Sequence, residues 1–170
     1  MSAFTGCMGL RRVTVGLLAA GWLMSGALQA QDTKAVDDLV RQAQTQLQKG
    51  QPREAENTLR KAIDLAPTRA ELYMLRSRAR DSSGKFEAAL DDANKYIELE
   101  PTDPYAYLNR SRILISQDKT EQALADANKA IELDPKEPDG YYRRSDIYNE
   151  MGKKAEAKAD EAKAEALAKQ

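Results

Sequence analysis

From residue 33 onward apolar residues return at the spacing of a helix face, as in Leu59, Ala62 and Ile63, in Leu90, Ala93 and Ile97, and in Leu124, Ala127 and Ile131. Each run closes on a proline, in KAIDLAP, KYIELEP and KAIELDP, and Pro67, Pro101 and Pro135 stand 34 residues apart. A proline has no N–H and clashes with the preceding turn, so each one stops a helix. Upstream of each run lies a break, at Gly50-Gln51-Pro52, Gly84-Lys85-Phe86 and Gln117-Asp118-Lys119, and before the break a second helical run. The period is therefore helix, turn, helix. It predicts eight helices, over 33–48, 52–65, 69–83, 86–99, 103–117, 120–133, 138–151 and 153–168. Thr68 with Glu71 has the pattern of a capping box, and Asp103 precedes Pro104 as a cap precedes a first-turn proline, an arrangement Glu137 and Pro138 repeat.

A second marker keeps the same step. YMLRSRAR at 73–80, YLNRSRIL at 107–114 and YYRRSDIY at 141–148 place Tyr, Arg and Ser at fixed offsets. Asp92, Asp126 and Asp160 each follow the arginines Arg76, Arg110 and Arg144 by 16 residues, and where the first period has Gln42 for the arginine it has Thr58 for the aspartate. A half-buried arginine needs an acceptor. A ladder for an acidic partner is the competing reading of these arginines, but the joint loss favours three structural pairs inside the repeats, Arg76–Asp92, Arg110–Asp126 and Arg144–Asp160. The small residue beside each arginine, Ser77, Ser111 or Ser145, with Ala43 in the first period, lets two helices cross closely.

A 34-residue helix-turn-helix period resembles the tetratricopeptide repeat family. Tyr73 and Tyr107 take the family's first aromatic place, Ser77 and Ser111 its small-residue place, Ala89 and Ala123 its first alanine, and Pro101 and Pro135 its closing proline. The late aromatic of the second helix is absent, with Leu59, Ala93 and Ala127 in its place. The last segment, KKAEAKADEAKAEALAK, keeps Ala157 and Ala164 but lacks a closing proline, which suits a polar end cap. The resemblance covers about 33–168, in repeats of about 33–67, 69–101, 103–135 and 138–168. It implies an all-α fold, a right-handed superhelical array of four repeats, or α-solenoid.

The resemblance also implies a curved trough lined by the first helix of each repeat, with the residues beside the packing stripe facing into it. Those residues are Met74 and Arg78 in the second repeat and Tyr105, Leu108, Asn109 and Arg112 in the third. In the fourth they are Tyr142, Arg143 and Asn149. Cation, aromatic and amide together suit an extended peptide carrying a carboxylate. The Lys and Asn clamp of the family's chaperone-binding members has no counterpart, since its first-repeat places hold Val40 and Gln44.

Composition narrows the function. The 170 residues contain no His and one Cys, which removes His-based triads and Cys–His pairs and leaves no zinc site. A formal charge of -1 supplies no basic field for nucleic acid. No metal, cofactor or catalytic group is expected. Residues 1–30 differ from the rest: Arg11 and Arg12 are followed by the apolar run from Val13 to Leu28, without an acidic residue. This pattern predicts a secretory signal peptide cut after Ala30, or after Ala27. An anchor is the competing reading, but the run is shorter than the roughly 20 residues that span a bilayer. Cys7 precedes the run and would leave with the leader, and without the two leader arginines the chain has 24 basic against 27 acidic residues. The expectation is a non-catalytic protein- or peptide-binding scaffold of the periplasm or cell envelope, not inserted in the membrane after cleavage. The alternative is a self-associating structural module.

Overall fold

The computed structural model describes residues 33–169, all of whose regular elements are helices. The leader expected over 1–30 lies outside the described residues. Helix α1 spans 33–48. It is followed by α2 (Pro52–Leu65), α3 (Ala70–Ser82), α4 (Phe86–Leu99), α5 (Pro104–Ile115), α6 (Thr120–Leu133), α7 (Pro138–Glu150) and α8 (Lys154–Ala168). Helices α4, α6 and α8 pack on the first helix of their own repeat, and α2, α4 and α6 on the first helix of the next. Helix α3 touches α5 and α5 touches α7, whereas α2, α4, α6 and α8 do not touch one another. The first helices are thus the inner layer of an all-α solenoid, and the array bends around them.

The core is built from small residues and a few large ones. Leu59, Leu72, Ile113 and Ile147 are fully buried, as are Ala55, Ala89 and Ala123 at the start of the second helices. Ala43, Ser77, Ser111 and Ser145 are all buried at the helix crossing. One further close approach has no echo in the repeat pattern: a Cβ at Gly140 would lie 2.8 Å from Ile131 Cγ1, so α7 begins hard against α6. The turn inside each repeat needs a left-handed residue. Gly50, Gly84 and Gly152 supply it, and Asp118 takes the same place in the third repeat with φ 56°. This turn ends α5 at Ile115, two residues short of the expected 117.

Helix starts differ in how they are held. Asp103 accepts from the Tyr105 N–H at 2.9 Å and caps α5. The capping box expected at Thr68 does not form. Arg69 is extended at the N-cap place and donates to Glu71 Oε2 at 2.7 and 3.1 Å and to Asp37 on α1, which draws Glu71 away from the backbone. Every proline turn between repeats is also clasped: the hydroxyls of Tyr73, Tyr107 and Tyr141 donate to the carbonyls of Pro67, Pro101 and Pro135 at 2.9, 3.1 and 3.2 Å.

Candidate functional site on the inner face

The spaced arginines belong to the scaffold. Arg76 donates through Nε and Nη2 to the two oxygens of Asp92 at 2.9 and 2.7 Å. Arg110 does the same to Asp126 at 2.8 and 2.7 Å, and Arg144 to Asp160 at 2.6 and 2.8 Å. The three aspartates are buried, and hydrogen bonding to them raises each guanidinium above its ordinary pKa against the opposing effect of burial. Each arginine also lies over the tyrosine three residues before it, with ring centroids 5.7, 6.0 and 5.7 Å away. In the first repeat Thr58 donates to Gln46, not to Gln42, at 2.9 Å. Sequence reasoning missed a second set of partners: Nη1 of Arg110 reaches back to Asn94 at 2.9 Å and Nη1 of Arg144 to Asn128 at 2.8 Å, tying each of these repeats to the one before. The signal was present, since both asparagines also lie 16 residues from their arginines.

The inner face gathers most of the expected groove residues around one cavity of about 420 Å³. Arg78, Tyr105, Leu108, Asn109, Arg112 and Tyr142 line it with Arg143, and Asp139 joins them at the rim. Met74 lines a neighbouring cavity of about 440 Å³ that shares Arg78, and Asn149 lies outside both. Tyr105 and Tyr142 are among the few exposed large apolar side chains, at 46% and 38%. Burial, with Glu137 and Asp139 nearby, pushes the Tyr105 phenol up to about 12.

The seven residues do not play one role. Asn109 is buried and donates to Ser77 Oγ at 2.8 Å, so its amide bolts α5 to α3. Leu108 is also buried and forms the floor. Arg112 is bound to Asp81 on α3, and burial, together with the like charges of Arg78 and Arg143, holds its guanidinium below the ordinary value despite that carboxylate. Asp81 was not foreseen. Arg78 is exposed and, among the described residues, has no ion pair. Arg143 has only a 3.6 Å contact with the exposed Asp146, and its Nε is buried without a partner among the described residues. Ser111 Oγ shares that state. Ser111 and Arg143 occupy, one repeat later, the places of Ser77 and Asn109. What is a closed bond at one junction is a pair of open polar atoms at the next.

Family profiles described as tetratricopeptide repeat match residues 40–104, 93–125 and 127–159, well over half of the chain. The chain is a tetratricopeptide-repeat protein. Within that family pattern the leucine that follows the first aromatic by three is replaced by Arg76, Arg110 and Arg144, so a buried ion pair stands where the family uses an apolar contact. Comparison with curated proteins gave no match. Among solved structures the array is similar to MamA, at 25% identity and TM-score 0.67 over 85% of this chain and 84% of that one. It also resembles a thermophilic tetratricopeptide-repeat protein of Thermus thermophilus, at 19% identity and TM-score 0.72 over 78% of this chain and 74% of that one. A further likeness is pilF of Pseudomonas aeruginosa, at 21% identity and TM-score 0.72 over 81% of this chain and 63% of that one. The latter two likenesses concern the fold alone. Tetratricopeptide arrays of this kind suit protein–protein scaffolding, and among the described residues no three His, Cys, Asp or Glu side chains gather as metal ligands.

Proposed function

We propose that the protein is an exported, non-catalytic scaffold that holds an extended, partly acidic segment of a partner protein along the inner face. The observation that carries the reading is Arg143, whose buried Nε lacks an acceptor among the described residues while two exposed tyrosines flank the same cavity. The Arg143 side chain is 29% exposed and its contact with Asp146 is 3.6 Å long, so a carboxylate in the groove can pair with the accessible part of its guanidinium, and the carboxylate charge suits Arg78 and Arg112 beside it. Tyr105 and Tyr142 offer flat apolar surface to the neighbouring residues of the peptide. Two nitrogens of Arg112 are turned to Asp81 and Asn109, so it contributes chiefly by its charge.

Selection from a random-peptide library tests this reading. Enriched sequences should carry a carboxylate beside an apolar residue, bind more weakly as salt rises, and lose affinity for Arg143→Ala. A neutral or basic consensus, or one indifferent to Arg143, rejects it. Export to the periplasm or cell envelope rests on the leader pattern, and N-terminal sequencing from the native host should begin at Gln31 or Leu28; full-length chain in the membrane fraction would favour an anchor. No helix among the described residues is long and apolar enough to cross a membrane. End-to-end self-association fits the array less well, because the arginine-to-asparagine link between repeats has Gln42 at one end and Ala162 at the other.

A further inference from the structure

The side opposite the groove differs from junction to junction. Between the first and second repeats Glu56 on α2 meets Arg80 on α3 at 3.1 Å, Lys85 closes on the same carboxylate at 2.7 Å, and Arg80 also donates to the Ala88 carbonyl. One repeat later the places of Glu56 and Arg80 hold Leu90 and Leu114, and two repeats later Leu124 and Tyr148. Arg144 is thereby stacked between two rings, with Tyr141 at 5.7 Å and Tyr148 at 5.9 Å. Among the described residues Arg110, its equivalent, has Tyr107 alone, at 6.0 Å. On the other side of Arg110 a cavity of about 370 Å³ opens between α4 and α6, floored by Leu90 and Leu114 and walled by Asn94, Asp126 and Ala125. Its volume lies in the range of small-ligand pockets, about 300–1,000 Å³.

We infer that this middle junction is a second binding site, on the outer side of the array, which takes an aromatic side chain of a protein partner. The fourth repeat displays the complement: a phenol ring stacked on the equivalent arginine at the place Leu114 leaves open. Arg110 cannot turn away to find another partner, because Asp126 and Asn94 already hold its nitrogens in one plane. Its face is therefore presented to the cavity at fixed orientation, while the two leucines beneath offer the apolar floor an aromatic edge needs. An aliphatic side chain would gain the floor without the stacking, and a carboxylate would meet Asp126. The first junction cannot take the ring, since Arg80 and Lys85 fill it, and the last already contains one.

The test is methyl NMR of the full chain titrated with N-acetyl-tyrosinamide. Saturable shifts are expected at the Leu90 and Leu114 methyls and not at Leu39 or Leu47, with N-acetyl-leucinamide at least tenfold weaker. Leu114→Tyr, which supplies the ring internally as the fourth repeat does, should weaken tyrosinamide at least tenfold. Because a larger side chain at a buried position can disturb packing, a second variant is needed: Ala125→Asp is exposed, copies Asp91 of the preceding repeat, and should weaken binding at least threefold. Equal shifts at all three junctions, an equal response to the leucine probe, or affinity unchanged in both variants would overturn the assignment. Sedimentation that rises with concentration in the unaltered chain but not in Leu114→Tyr would assign the site to a second copy and overturn the partner. Arg143→Ala should leave tyrosinamide binding unchanged, which separates this site from the inner groove.

Discussion

The two inner-face junctions that flank α5 have the same geometry and opposite chemistry. Toward α3 the interface is bolted, by Asn109 to Ser77 at 2.8 Å and by Arg112 to Asp81. Toward α7 the equivalent of the first bond is Arg143 beside Ser111, each with an unpartnered buried atom, and the equivalents of the second are Asp146 and Ile115. Both junctions share the same crossing side, where tyrosine, arginine, serine and aspartate recur without change. The strictly periodic groups hold the crossing side of every repeat, whereas on the inner face departures from the period either bolt a junction, as Asn109 and Arg112 do, or leave polar atoms open, as at Arg143.

The largest effect should come from the periodic side. Asp126→Ala leaves Arg110 half-buried without its carboxylate and should cost about 3 to 5 kcal/mol in urea denaturation. Arg78→Ala, on the exposed inner face, should stay within about 0.5 kcal/mol. A double-mutant cycle on Arg110 and Asp126 should show strong coupling, and additivity would deny the pair. Next in size, Asn109→Ala removes the bolt and should cost about 1 to 3 kcal/mol. Arg143→Asn should do the reverse, placing an amide opposite Ser111 as Asn109 lies opposite Ser77. It should raise stability by about 0.5 to 1.5 kcal/mol while abolishing selection of acidic peptides. A loss of stability there would erase the contrast between the junctions.

Smaller effects sharpen the comparison from outside the groove. Asp118→Gly relieves the single left-handed non-glycine among the described residues and should stabilise the third repeat by about 1 kcal/mol, read as a shifted urea midpoint. Burial alone would raise the Glu56 carboxyl, but Lys85 and Arg80 hold it below its ordinary value. Its contribution is present above the unfolded pKa of about 4.3 and is lost as pH falls through the lower folded value. The urea midpoint of Glu56→Gln should therefore fall less steeply in acid than that of the unaltered chain.

Much of this was legible in the sequence, because the repeat supplied three copies of each scaffold element. The proline steps located the helices, and the joint replacement of arginine by Gln42 and of aspartate by Thr58 in the first period pointed to the ion pairs. The bolts were not legible. Asn109 and Ser77 lie 32 residues apart and Arg112 and Asp81 31, each in a single copy, so no recurrence flagged them. The capping box failed for a similar reason, since Arg69 finds Asp37 on another helix, 32 residues earlier. The groove set followed from the family resemblance, which implies a trough lined by the first helices. That logic gathered seven of nine residues at one cavity but could not tell Arg143, which has an unpartnered Nε, from Arg112, two of whose nitrogens are turned to Asp81 and Asn109.

The tyrosine clasps bear on how such a surface is used. With each inter-repeat turn tied by a hydroxyl to the proline carbonyl six residues earlier, the turns have little freedom to act as hinges. A partner then meets a rigid mould whose curvature is set before contact. Little ordering entropy is lost from the array on docking, and the cost of adaptation falls on the incoming chain. On the proposed function, discrimination then begins with shape: a segment that cannot assume the curve is refused, whatever charge it carries.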